Sequence, residues 1–367
     1  MPFVDIDTSS GLFSFRYSIA TPTSTTDSVE AISPDLPCIL FLHSGYVGQE
    51  VFEDQFADRR LREFNLIGVD MKGFGDTKGL IGNAPFTPRE SASDVDQITE
   101  KLNLPPCHIF GLANGCTVAL ELAGGYPSRV LSLTLCSPLS EVERESVIAG
   151  RTEVFKYWQQ MDEVIRSPTA ESEEFRISTS EELAGDVLLG SGQLMVNNSK
   201  SNRAVSMLSH AIATAKRNWS GSPEKLSLAY KTSLEWFLER RPIPDDMLEK
   251  IAVPVSIIYC SEDVAYPLEC AEELEKRLID AGVPKVALYE VPGAHYGSIT
   301  NPKDINKILY ETVSSCHPNL LGSSVSYVFD AQDRLVTPFT EVLVQHGYDP
   351  AEDSTNENGG LGVHLAL

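Results

Sequence analysis

The sequence predicts an α/β fold whose central sheet is mostly parallel and carries helices on both faces. Short apolar runs bounded by turn residues recur along the chain: FSFRYSIA, CILFLH, NLIGVD, CHIFGL, LSLTLC, VSIIYC and VALYEV. Runs of this length and punctuation read as strands. Helix-like segments separate several of them, among them Ser91 to Leu102 and Cys116 to Tyr126. Such alternation builds parallel sheets, because each crossover lays its helix on a sheet face. With 367 residues, 42% hydrophobic and 22% charged, the chain has an ordinary globular composition. It exceeds what a minimal α/β sheet requires, so an insertion or appended segment is expected.

The rhythm of the sequence locates that insertion. From about residue 140 to 247 the strand-like runs give way to long polar-apolar stretches such as ESVIAGRTEVFKYWQQMDEVI and PEKLSLAYKTSLEWFLERR. They read as an inserted helical cap or lid. Strand rhythm resumes at Val253, so residues 1–139 and 248–316 form one core that the insertion interrupts. Its Phe155, Tyr157, Trp158, Met161, Trp219, Tyr230, Trp236 and Phe237 supply a core for the cap, with a minority facing a ligand. Residues 317–367 form a C-terminal extension, apolar at first and then rich in Gly, Asn and acids. The first half is expected to pack on the body and the end to be mobile.

Charge excludes several classes of partner. A formal net charge of -23 repels phosphate backbones, whose recognition rests on Lys and Arg displacing counterions, so no nucleic-acid or anionic-membrane partner is expected. The surplus reads as a solubilising surface. MPFVDIDTSS lacks the basic and apolar regions of a leader, and no apolar stretch reaches the roughly 18 residues of a spanning helix, which gives a cytoplasmic expectation. Cysteines 38, 107, 116, 136, 260, 270 and 316 are odd in number, scattered and mostly embedded in apolar runs, as buried free thiols would be. No CxxC pair argues for a metal, and two glycosylation sequons, at Asn197 and Asn218, are chance matches without a secretion signal. Oligomeric state has no sequence signal.

The chemistry is concentrated at Ile109-Phe110-Gly111-Leu112-Ala113-Asn114-Gly115, where an apolar strand runs into a Gly-x-Ala-x-Gly turn followed by helix-like CTVALELAGGYP. This is the strand, tight turn and helix of a nucleophile elbow, in which Gly111 and Gly115 make room for a strained central residue. Here the chain resembles the capped branch of the α/β-hydrolase superfamily over roughly Pro37 to Cys316, with alanine at the serine position. Four further motifs follow in family order. His43-Ser44-Gly45-Tyr46 after CILFLH is similar to the His-Gly-x oxyanion loop, with Ser44 for a glycine, and Asp70 to Thr77 is similar to the Asp-x-Arg-Gly-x-Gly-x-Ser turn. Ser261 to Pro267 resembles the acid loop with Asp263 as carboxylate, and Val291-Pro292-Gly293-Ala294-His295-Tyr296 resembles the histidine loop.

The resemblance implies roles. His295 would take the proton of a nucleophile at 113, Asp263 would orient the imidazole, and the backbone amides of Asn114 and Gly45 would hold the oxyanion. His43, Ser44, Tyr46, Ser137 and Trp158 are further candidates for substrate contact. No metal and no organic cofactor is implied, and the partner is a small apolar organic substrate. Ala113 has no hydroxyl, so no acyl-enzyme can form on it. A serine replaced to trap a ligand, or a natural loss of the nucleophile, accounts for it; the surviving glycines, acid and histidine weigh towards the former.

Each residue also has a plain structural reading. His295 alone could be a satisfied loop histidine, Asp263 one of two surface acids with Glu262, Cys116 a packed apolar residue and Ser137 a turn serine, while Glu141 is a substitute acid. Three functions remain open. They are hydrolysis of an ester, lactone or related acyl bond; general-base chemistry by a His295–Asp263 dyad as a lyase, isomerase or cofactor-free oxygenase; and non-catalytic binding of a small molecule.

Overall fold

A computed structural model of the chain describes residues 2–24, 28–82, 84, 86–167, 172–318 and 334–351. The end of the C-terminal extension, expected above to be mobile, lies outside the described residues. Eight strands form one sheet: β1 (Phe3–Thr8), β2 (Gly11–Ala20), β3 (Cys38–Leu42), β4 (Asn65–Val69), β5 (Cys107–Leu112), β6 (Val130–Cys136), β7 (Val255–Cys260) and β8 (Val286–Val291). Their order is β1-β2-β4-β3-β5-β6-β7-β8, antiparallel at β1/β2 and β2/β4 and parallel from β4 to β8. Every residue of β3, β4 and β5 is buried, as in strands covered on both faces. The seven apolar runs thus became β2 to β8. β1 has no counterpart among them, and its only signal is the alternation of Val4 and Ile6 with Asp5 and Asp7.

In the core, α1 (Glu53–Ala57), α2 (Pro88–Lys101) and α3 (Asn114–Gly125) precede β6. Between β6 and β7 the elements among the described residues are helical: α4 (Glu145–Arg166), α5 (Glu173–Val196), α6 (Asn202–Trp219), α7 (Pro223–Tyr230), α8 (Trp236–Leu238) and α9 (Asp245–Leu248). The remainder comprises α10 (Leu268–Asp280), α11 (Gly297–Thr300), α12 (Pro302–Cys316) and α13 (Thr340–Val344). No described helix is long and apolar enough to cross a membrane. All seven cysteines are free and all but Cys316 are buried.

Chain direction reverses its spread across the sheet at β3: β4 lies on one side and β5 on the other. A crevice opens beyond the carboxyl ends of strands at such a switch point, which is where open α/β sheets bind ligands. Helices between β6 and β7 bond to the loops at this edge. Trp219 Nε1 donates to the Gly73 carbonyl at 2.8 Å, Asn218 Nδ2 to that of Gly75 at 2.8 Å and Asn197 Nδ2 to that of Glu262 at 2.7 Å. The backbone N–H of Tyr296 donates to Met195 at 2.8 Å. Three strand-end loops are therefore bonded directly to the insertion.

The described part of the extension, residues 334–351, is latched to the body beside α1. Arg334 pairs with Asp54, Thr337 donates to Glu53, Thr340 Oγ1 donates to Glu53 at 2.8 Å, and Phe339 packs on Phe56 with ring centroids 4.9 Å apart. Burial pushes the Glu53 carboxyl up to about 7, against the opposing pull of Thr337 and Arg334. Its folded value exceeds the unfolded one, so folding favours the protonated form. The stability it contributes is full below about pH 4.5 and is lost as pH rises through about 7. Glu53→Gln is accordingly expected to flatten the fall in Tm between pH 4.5 and 7. A slope unchanged from the native chain would contradict this. Asp94, raised from 3.8 to about 6 by burial despite Lys72, adds a similar fall at lower pH, between about pH 3.8 and 6.

Candidate active site

The elbow forms because two glycines let β5 turn into α3 within one residue. Ala113 sits at φ 50, ψ -112, a conformation that costs a non-glycine residue on the order of 1–3 kcal/mol. The neighbours enforce it. A Cβ on Gly111 would lie 2.7 Å from the Gly115 carbonyl oxygen, and one on Gly115 would lie 2.1 Å from that of Leu42. Ala113 N–H donates to the Cys136 carbonyl at 2.9 Å, tying the bend to the end of β6. Cys116 is buried beneath it, its thiol against the Gly111 and Cys136 carbonyls at 3.2 Å and pushed well up by burial, so it packs and does not act as a thiolate.

The acid and histidine meet at this same edge. His295 Nδ1 lies 2.5 Å from Asp263 Oδ2, and both side chains are almost fully buried. The other carboxylate oxygen accepts the backbone N–H groups of Ala265 at 2.9 Å and Tyr266 at 3.0 Å, which fixes the acid. Tyr266 and Tyr296 flank the imidazole with ring centroids 5.0 and 5.6 Å away. Burial pushes both phenols up, so they stay neutral. Gly297, two residues after His295, abuts Cys260 and Cys136, so the histidine loop and the elbow converge on the end of β6.

The loop after β3 completes the ring of contacts. His43 is buried, accepts the Met71 N–H at Nε2 (2.8 Å) and approaches the Ser44 carbonyl through Nδ1 at 2.6 Å. The acceptor role of Nε2 puts the proton on Nδ1. Desolvation holds its pKa down, partly offset by Asp70, so the ring is a neutral strut. Asp70 accepts Gln49 N–H at 2.8 Å and Asp76 N–H at 2.9 Å, which makes the Asp70–Thr77 turn a frame for this loop. The Gly45 carbonyl accepts from the Tyr296 hydroxyl at 2.8 Å. Its N–H and the Ser44 hydroxyl both donate to the side-chain oxygen of Asn114, each at 2.7 Å. Asn114, the Ser44–Gly45 loop and Tyr296 are thus joined by direct bonds.

That arrangement differs from the sequence expectation at the oxyanion loop. Gly45 N–H was expected to face an oxyanion, and it faces the Asn114 amide oxygen instead. Three further candidates stand away from the wall of the cavity next to the site. Trp158 is fully buried against Trp219, with centroids 5.2 Å apart. Ser137, at φ 53, gives its N–H to Ile258 at 2.8 Å with its side chain buried. Glu141, the substitute acid, is paired with Arg277. Tyr46 does line the cavity, of about 580 Å³, which lies between α4, α5 and the loop after Asp263. Sequence reasoning missed Arg151, which lines it too, and the two tyrosines beside His295. No group of three or more His, Cys, Asp or Glu that could hold a metal occurs among the described residues.

Residues 37–302 match the model of a family described as alpha/beta hydrolase fold. Among solved structures, a thermophilic esterase from Thermogutta terrifontis superposes with a TM-score of 0.59 at 16% identity, covering 86% of this chain and 100% of that one. The enol-lactonase of Burkholderia xenovorans LB400 gives 0.60 at 16% identity, over 85% and 100%. In sequence, the chain is 29% identical over 106 residues to the "Probable lysophospholipase BODYGUARD 2" of Arabidopsis thaliana. That match covers 27% of this chain and only 22% of the relative.

Proposed function

Because the chain belongs to the α/β-hydrolase family, we propose that its site is that of a carboxylic-ester hydrolase acting on an ester, lactone or related acyl bond, with alanine in place of the nucleophile at position 113. The observation that carries this reading is the His295–Asp263 pair, buried, and clamped at the strand edge where the elbow turns. A buried acid held to an imidazole stabilises the imidazolium that forms when a hydroxyl proton is removed. With serine at 113, Oγ would attack the acyl carbon while its proton passes to His295 and then to the departing alkoxide. Water would release the acid by the same steps reversed in role. The helical insertion acts in this account as a cap that excludes water, and the substrate is a small organic molecule with an apolar portion. Esterase and enol-lactonase neighbours lend support at the level of the fold.

The second reading is dyad chemistry, in which His295 serves as general base without a covalent intermediate. Asn114 favours it, because its amide oxygen holds the Gly45 N–H that an oxyanion would need. The test is a panel of 4-nitrophenyl esters and lactones assayed on the native chain and on Ala113→Ser. Turnover that appears only with serine supports the hydrolase, and equal turnover by both supports the dyad. Tight binding without turnover by either form supports a binding protein, and acyl chemistry absent from the serine form overturns the proposal. In that background Asn114→Ala is expected to raise kcat by about 10-fold, since one freed oxyanion donor is worth about 100-fold or more and part is lost to a looser loop. A drop in kcat would instead give the Asn114 side chain a positive role.

A further inference from the structure

Arg151, on α4, is nearly fully buried, yet its Nε and Nη1 make no hydrogen bond among the described residues. The hydroxyl of Tyr46, on the same cavity wall, is likewise buried, with the Arg151 guanidinium and the Ser233 hydroxyl as its polar neighbours and no well-formed hydrogen bond to either. The face of Phe237 offsets part of the cost of burying this charge, but a buried guanidinium without a hydrogen-bonded anion remains disfavoured and cannot shed its proton to escape. Nearby acid does not balance it. Glu143, the one carboxylate among the groups that act most strongly on Arg151, accepts from the Tyr266 hydroxyl at 3.0 Å and pairs with buried Arg240 at 3.2 Å. Two buried guanidiniums thus share one carboxylate, and the cluster is one negative charge short. This deficit sits inside a chain whose net charge is -23.

The position of the deficit gives it a function. Arg151 Cζ lies 3.4 Å from the Phe237 ring centroid and 5.8 Å from that of Tyr46. The tip of Phe237 is 3.7 Å from where a Cβ on Gly45 would stand, so one ring separates the guanidinium from the candidate oxyanion loop. The cavity of about 580 Å³ has the size of a small-ligand site; its wall combines apolar groups such as Val147, Val154, Leu194 and Val264 with the neutral polar Ser146, Gln193 and Asn198. Its acids, Glu153 and Asp186, are exposed to solvent and so screened, whereas Arg151 is within.

We propose that Arg151, assisted by the Tyr46 hydroxyl, binds a carboxylate, so that the substrate class is an acyl compound with an apolar body and a free carboxylate at its far end. A planar fork of donors matches a carboxylate bidentately. The substrate assignment rests on the hydrolase reading of the adjoining site, but the anion site does not.

The experiment therefore has two arms. Calorimetric titration of the native chain with 5-phenylvalerate and with 5-phenylpentanamide tests the anion site without any chemistry. The carboxylate is expected to bind at least 10-fold more tightly, and Arg151→Met to bring the two within 2-fold. Equal binding by the native chain, binding of neither, or a preference that survives Arg151→Met overturns the proposal. The Met variant is expected to keep or raise Tm, since it removes an uncompensated charge, and Arg151→Lys should retain part of the preference. In the second arm, Ala113→Ser is assayed on mono-4-nitrophenyl glutarate against 4-nitrophenyl valerate. The ratio of kcat/KM should favour the glutarate and fall at least 10-fold with Arg151→Met. If both esters are cleaved equally, with Arg151→Met changing nothing, the anion site fails and the hydrolase stands. If neither is cleaved while the titrations succeed, the hydrolase reading fails and the anion site stands.

Discussion

Restoring a hydroxyl at the elbow, by Ala113→Ser, is expected to raise kcat for 4-nitrophenyl acetate by at least about 10³-fold over the native chain. Removing a serine nucleophile from an assembled triad costs about 10⁶ in kcat, with about 10³–10⁴ of rate over water surviving from binding and the oxyanion hole. Here the Gly45 N–H is occupied by Asn114, so the gain should fall short of the full factor. The substitution is also structurally mild. One oxygen enters a position whose backbone is already held at φ 50 by Gly111 and Gly115, and the Cys136 carbonyl that anchors residue 113 accepts from its backbone, not its side chain. Stopped-flow traces with the chromogenic ester should show a burst of product if acylation outruns deacylation. Rates equal to those of the native chain would mean that position 113 is not presented to the imidazole.

The second large effect concerns the frame. Gly115→Ala is expected to lower stability by about 3 kcal/mol or more, at the upper end of what overpacking costs. Its Cβ would lie 2.1 Å from the Leu42 carbonyl oxygen and 2.9 Å from the Leu42 carbonyl carbon, both backbone atoms of a central strand end that cannot step aside. Relief would have to come from moving α3 away from β3. Gly125→Ala, on the same helix, meets nothing closer than the flexible end of Met247 at 4.0 Å and should change stability by well under 1 kcal/mol. Urea unfolding of both variants measures the contrast. Equal midpoints would show that α3 does not seat against Leu42 as described.

Much of this was legible in the sequence because it depends on local backbone rules. The strands β2 to β8 announce themselves as apolar runs, and the elbow does so because only glycine tolerates the approach of the turn to Leu42 and Cys116. Asp263 and His295 were singled out by their places after β7 and β8, and the structure pairs their side chains. The antiparallel edge β1 was not found, since six residues with two outward acids carry little apolar signal. Arg151, Phe237 and Tyr46 meet across more than 80 residues of chain, and which side of α4 faces the cavity depends on how the insertion seats on the core. Asn114 was expected to act through its amide N–H. Its side chain in addition reaches Gly45, a contact that depends on the path of the loop after β3 and on no spacing in the sequence. Trp158 looked like a ligand contact because large aromatics serve both pockets and cores, and packing against Trp219 decides for the core.

The central claim is that residue 113 is held where the His295–Asp263 pair can activate it. Intact-mass measurement after treatment with a fluorophosphonate tests this most directly, since the reagent phosphonylates a serine only when a nearby base activates it. Ala113→Ser should gain one adduct, mapped to residue 113, while the native chain gains none and a further His295→Gln abolishes the adduct. A serine form left unlabelled, or labelled equally well without the imidazole, would contradict it.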